Sequence, residues 1–91
     1  MITVCIDGGE IQSLRQAMQV IAQALDFPEH FGCNYDALYD CLGGVCQQTV
    51  FVFKNEQELR QRLEQDAYML KIVLDDAAQE NPFLSVQASE P

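Results

Sequence analysis

Two carboxylates, an aromatic ring and a pair of glycines fall together in the segment DFPEHFGCNYDALYDCLGG, which runs from Asp26 to Gly44. Asp36 and Asp40 are four residues apart, so on a helix they share one face with Tyr39 and Gly43. Such a face has two chemical uses. Paired carboxylates can serve as a general acid and base. They can also stand as fixed negative charges in another molecule's cation-lined hole, where a carboxylate accepts forked hydrogen bonds from arginine as a phosphate does. The second use suits these residues better, because an exposed pair on one face stays ionised. The chain also has a single histidine and neither a nucleophile elbow nor a phosphate-cradling loop, and Gly8-Gly9 lacks the spacing of a dinucleotide fingerprint. No enzyme is expected.

Asp40 also breaks a local rule. It lies in the last turn of its helix, where the dipole favours cations and an acid costs roughly 0.3–1 kcal/mol. It repels Asp36 as well. Conflicts of this kind are tolerated where function requires them, and the competing explanation is a merely solvated helix face. Glycines at 43 and 44 would let another molecule approach the backbone closely.

The other groups able to do chemistry are cysteines 5, 33, 41 and 46 and His30. Asp7 and Glu10 interrupt the start of the chain, so no secretory signal is visible there, a cytoplasmic location is expected, and the thiols are expected to be reduced. His30, Cys33, Cys41 and Cys46 could be assembled on paper into a zinc site, but no tight Cys-x-x-Cys knuckle is present and Cys41 is placed on an inward helix face. No metal or cofactor is expected.

Elements that position these groups follow from periodicity. Ile2, Val4 and Ile6 alternate with Thr3 and Cys5 as in a strand. Ser13 and Gln16 open a helix as a capping box, and Leu14, Met18, Ile21 and Leu25 form its apolar stripe up to the stop before Pro28. Asn34 caps a second helix through Leu42, with Leu38, Cys41 and Leu42 turned to the core. Gly43-Gly44 ends it. Thr49 to Phe53 is a nearly continuous apolar run, as in a central strand. A third helix starts at Asn55 with Glu58 and turns Leu59 and Leu63 inward. A fourth covers about Ala67 to Glu80 with Leu70, Val73, Leu74 and Ala77 on one face. Asn81-Pro82 stops it, and Phe83 to Gln87 makes a last strand. Helical crossovers between strands favour an α/β fold: a three-stranded parallel sheet covered by about four helices. One domain over 1–87 and a loose tail over 88–91 are expected.

Charge narrows the choice of partner. The net charge is −9, with 14 acids against five bases, and the stretches Gln16–Phe53 and Ile72–Pro91 hold no Lys or Arg. Nucleic acid would be repelled, no apolar run is long enough to span a membrane, and a basic protein would be attracted.

The run Pro28, Glu29, Gly32, Asn34, Asp36, Ala37, Leu38, Asp40, Cys41, Leu42, Gly44 resembles the signature of the barstar family, the intracellular inhibitors of barnase-type ribonucleases. The opening from Ile6 to Leu14, with Asp7-Gly8 in its turn and Ile11-Gln12-Ser13 leading into the helix, is similar too. Beyond Gln47 the likeness is one of pattern. This resemblance implies a 1:1 complex in which the chain plugs the active site of a basic, extracellular-type ribonuclease. Asp40 would be the central anchor and Asp36 a second charged contact, bordered by Asn34, Tyr35 and Tyr39. Gly43 and Gly44 would give backbone contacts, and Asp76 and Glu80 further acidic ones. His30 replaces an aromatic that commonly touches the nuclease in the family, so it stands as a partner contact or, equally, as a packed or solvated bystander. Tyr39 stands where tryptophan is frequent, and Gly43 and Val45 stand where barstar has threonine and tryptophan. These departures leave open an acidic interaction module with another partner, or an immunity protein for another basic toxin.

Overall fold

The computed structural model describes residues 1–28 and 31–88. Strand β1 (Ile2–Asp7) is followed by helices α1 (Leu14–Leu25) and α2 (Tyr35–Gly43), strand β2 (Thr49–Lys54), helices α3 (Glu56–Leu63) and α4 (Gln65–Glu80), and strand β3 (Leu84–Ala88). The three strands form one parallel sheet in the order β1-β2-β3, with Val4 paired to Phe51 and Phe51 to Val86. The α/β fold with a three-stranded parallel sheet and four helices is therefore the one expected. β3 begins one residue later than the alternation suggested and extends to Ala88.

Each crossover is long enough to bring the chain back to start the next strand in parallel, which requires helices in between. The core lies on one face of the sheet. Val4 and Ile6 from β1, Phe51 and Phe53 from β2, and Leu84 from β3 are buried there against Met18 and Ile21 of α1, Leu38 and Leu42 of α2, Leu59 of α3, and Leu70 and Leu74 of α4. On the opposite face Thr3, Cys5, Ser85 and Gln87 are exposed. A parallel sheet is ordinarily covered on both faces; here the outer two strands keep the strict alternation of a half-buried sheet, and only β2 is apolar on both sides.

Local signals explain most helix ends. Ser13 Oγ accepts from the Gln16 amide at 3.1 Å, and Gln16 Oε1 accepts from the Gln12 amide at 2.7 Å, so the capping box closes on the residue before the cap. Asp26, in the left-handed region at φ 56°, ends α1. The third helix corrects one expectation. Asn55 adopts φ 50° and makes no side-chain cap. Its side chain donates to Asp7 Oδ1 at 2.8 Å instead, because the start of α3 abuts the turn that leaves β1. α3 and α4 nearly run together and are separated only by Glu64, which takes φ 55°, ψ −122°. This is a conformation that side chains rarely adopt.

Candidate protein interface

α2 exists because its ends are satisfied. Asn34 Oδ1 accepts from the Ala37 amide at 2.8 Å, Asp36 lies in the first turn where the dipole favours it, and the Gly44 amide closes the last turn on the Cys41 carbonyl at 3.2 Å. Leu38 and Leu42 are fully buried, which turns Asp36, Tyr39, Asp40 and Gly43 to solvent. Cys41, expected to face the core, is only partly buried. Burial, and then the neighbouring Asp40 charge, push its thiol pKa up, so it is a poor thiolate.

α4 runs alongside α2 and completes a groove of about 520 Å³ lined by Tyr35, Asp36, Tyr39 and Asp40 on one side and Met69, Val73 and Asp76 on the other. Val73 is partly buried against the core, as expected, and also forms a wall of this groove. Tyr39 and Met69 are each 40% exposed, so the floor offers an apolar strip between three carboxylates. Asp40 also borders a second depression of about 380 Å³, lined by Leu25, Phe27, Pro28, Cys41 and Val45 among others. Its carboxylate therefore stands on the ridge between an acidic groove and an apolar cleft.

Among the described residues Asp36, Asp40, Asp76 and Glu80 make no ion pair and no side-chain hydrogen bond. Three of the five bases are used elsewhere: Arg60 and Lys71 both bind Glu56, at 2.7 and 3.1 Å, and Arg62 donates to the carbonyls of Gly8 and Ile11. Asp36, Asp40, Asp76 and Glu80 thus form a field of one sign with no neutralising partner among the described residues.

The other residues singled out in the sequence are placed as follows. Glu80 is exposed one turn beyond Asp76 but does not line the groove. Asn34 uses its side-chain oxygen as the cap. A side chain added at Gly43 would meet nothing within 4 Å, and one added at Gly44 would only touch the Cys41 carbonyl at 3.7 Å. Neither glycine is required by packing. His30 lies outside the described residues. No three His, Cys, Asp or Glu side chains among the described residues gather as metal ligands, and the four cysteines are free thiols.

Two links between α2 and α4 were not anticipated. Tyr35, expected only to border the partner, donates its hydroxyl to Asp66 Oδ1 at 2.8 Å. Asn81, read as a helix stop, is buried, and its amide donates to the carbonyls of Leu42 at 3.0 Å and Val45 at 2.9 Å while its oxygen accepts from the Phe83 amide. No helical or strand period signals either link; the partners are 31 and 39 residues apart in the chain.

Comparison with known proteins decides the family. The model described as Barstar (barnase inhibitor) matches residues 1–88. The chain belongs to the barstar family. It is also similar to "Putative ribonuclease inhibitor YrdF" of Bacillus subtilis (strain 168), 38% identical over 53 residues, which is 57% of this chain. That stretch spans 58% of the length of the relative. The three-stranded parallel sheet with four helices is consistent with membership of the barstar family. Among the described residues no helix is long and apolar enough to cross a membrane.

Proposed function

We infer that this chain inhibits a basic ribonuclease of the barnase type by seating the α2–α4 face in the enzyme's active site, as a 1:1 complex and without catalysis of its own. The observation that carries this reading is the groove itself: three carboxylates on two helices, exposed, with no internal cation among the described residues. An enzyme that binds RNA holds cationic groups where the phosphate lies. A carboxylate on a ridge can enter such a hole and accept bidentate hydrogen bonds there. Asp40 is the anchor, Asp36 and Asp76 are flanking charges, Tyr39 is the apolar contact between them, and Gly43 and Gly44 leave room for the enzyme's backbone. Glu80 and Asn34 belong to the rim. One sign of charge over the whole face speeds encounter with a basic enzyme.

Titrating the chain into barnase while following RNA cleavage tests the reading. Loss of cleavage at one equivalent is expected. Cleavage unimpaired across barnase-type ribonucleases would overturn it and favour an acidic interaction module with a different basic partner. Asp40→Ala is expected to weaken inhibition by about 2–5 kcal/mol, because truncating one partner of a desolvated charge pair leaves the other unpaired. The same change should leave folding stability unchanged or raise it by up to about 1 kcal/mol, since Asp40 makes no side-chain bond among the described residues and opposes the dipole of α2. An effect on inhibition below about 0.5 kcal/mol would remove Asp40 from the anchor role.

A further inference from the structure

The acid-bearing helix is tied to its neighbour at both ends. Near the start of α2, the half-buried Tyr35 reaches the first turn of α4 through its 2.8 Å bond to the Asp66 carboxylate. After the end of α4, Asn81 holds the last carbonyls of α2, those of Leu42 and, past the two glycines, Val45. All three side-chain bonds of Asn81 are made inside the protein, and it is one of two buried polar residues in the described chain. The groove with Asp36, Asp40 and Asp76 lies between these two clasps.

We propose that Tyr35, Asp66 and Asn81 are positioning residues that fix α2 against α4 before any partner arrives, so that Asp40 and Asp76 are already set at the spacing at which a partner's cationic site takes them. This rests on the inhibitory reading above and deepens it. A charged side chain held on a rigid frame loses less freedom on binding than one on a mobile segment, and the gain appears as slower dissociation. The need is acute at this place. Gly43 and Gly44 end α2 without side chains of their own, and Asn81, just past the end of α4, supplies the donor for the Leu42 and Val45 carbonyls on either side of them. Tyr35 acts in the same way at the other end. Its hydroxyl is engaged with Asp66 and acts through that bond.

The experiment compares Tyr35→Phe, Asp66→Ala, Asp66→Asn and the Tyr35→Phe/Asp66→Ala pair with the unaltered chain, with barnase as the probe. Dissociation of the complex should quicken about fivefold for Tyr35→Phe and for Asp66→Ala, the loss expected for one hydrogen bond. The pair should be no worse than the poorer single change by more than about twofold, because both remove one bond. Asp66→Asn keeps an acceptor for the tyrosine and should stay within about twofold of the unaltered chain. Additive losses, an Asp66→Asn loss equal to that of Asp66→Ala, or unchanged dissociation in all four would each overturn the proposal. If the unaltered chain fails to bind barnase, the inhibitory reading fails for that enzyme, and amide hydrogen exchange on the free chain decides about the clasps. Faster exchange over residues 35–45 in Tyr35→Phe supports them, and unchanged exchange refutes them. Asn81→Ala, provided that it folds, should show the largest acceleration at the Gly44 and Val45 amides; unchanged exchange there would remove Asn81 from the role.

Discussion

The two polar regions of this protein lie at opposite ends of the sheet and are built on opposite rules. At the carboxyl ends of β1 and β2, the Asp7 carboxylate accepts from Gly9 and Asn55, Arg62 binds the carbonyls of Gly8 and Ile11, and Glu56 gathers Arg60 and Lys71. Each group named is satisfied from within, and the corner locks α3 onto the turn that leaves β1. Around the loop that enters β2 from the other end, Asp36, Asp40 and Asp76 are left without a partner in the described chain. Polar groups that serve the fold find each other. On the reading proposed above, acids that remain exposed, of one sign and unpaired across two packed helices are held for something outside. The contrast separates structural from interface acids better than counting charges does.

The sharpest way to break that contrast uses one glycine from each region. A side chain at Gly8 would run into the Asn55 carbonyl and come within 2.6 Å of the Leu59 amide, both backbone atoms that cannot swing aside. Gly8→Ala should therefore destabilise the fold by about 2–3 kcal/mol, measured by urea denaturation. At Gly43 the space is open. Gly43→Ala should leave stability unchanged or raise it by up to about 1 kcal/mol, as alanine in a helix does, while weakening inhibition through the loss of close backbone approach. Should Gly43→Ala inhibit as well as the unaltered chain, glycine at that position has no part in recognition.

What could be read from sequence divides along the same line. The three strands, the cap at Asn34, the buried pair Leu38 and Leu42, and the exposure of Asp36 and Asp40 all follow from spacings of two, three or four residues, which the chain displays directly. The partnership of α2 with Asp76 and Val73 of α4 does not, since sequence separation carries no distance until the topology is known. Asn81 shows the reason most plainly. As a residue before proline at a helix end it satisfied every local expectation, so nothing signalled that its amide also holds the carbonyls of Leu42 and Val45, 39 and 36 residues earlier. Asn55 misled in the opposite direction: it looks like a cap in the sequence, yet its backbone is left-handed rather than extended, and its amide donates to Asp7 while its oxygen caps nothing. Glu64 gave no signal either, because the turn it forms is one that glycine ordinarily occupies.

That turn supplies the next test. Glu64 at φ 55°, ψ −122° stores strain on the order of 1–3 kcal/mol, and no described side-chain bond compensates it. Asn55 at φ 50°, ψ 46° lies in the left-handed well that asparagine tolerates. Glu64→Gly should stabilise the protein by about 1 kcal/mol after the added flexibility of the unfolded chain is subtracted. Asn55→Gly should instead destabilise it, since the bond to Asp7 is lost. A Glu64→Gly variant less stable than the parent would mean that the corner is not strained, and that the direction in which α4 departs from α3 has another cause.

The smallest effects are those of pH, and the two regions should answer at different ends of the scale. The side-chain bond from Asn55, then the Gly9 amide, hold the Asp7 carboxyl below its usual pKa. Burial opposes ionisation of Glu56, but the hydrogen bonds from Lys71 and Arg60 outweigh it and lower its pKa too. Both groups bind protons more readily in the unfolded chain, so their stabilisation is present above the ordinary carboxylate range and is lost as pH falls through it. Asn55→Ala should raise the Asp7 carboxyl toward its usual value in a titration followed by NMR and flatten the acid limb. The phenol of Tyr35 behaves in reverse. Burial first, and then the bond and charge of Asp66, raise its pKa above the ordinary 10. The unfolded chain loses that proton first, so the stabilisation holds below pH 10 and fades as pH rises beyond it. Tyrosinate absorbance should show an ionisation step well above the ordinary range, that of Tyr35. In Asp66→Ala the late step should move down, since two of its three causes are gone. If the unaltered chain shows no such late step, the hydroxyl is not held by Asp66, and the start of α2 is free to move relative to α4.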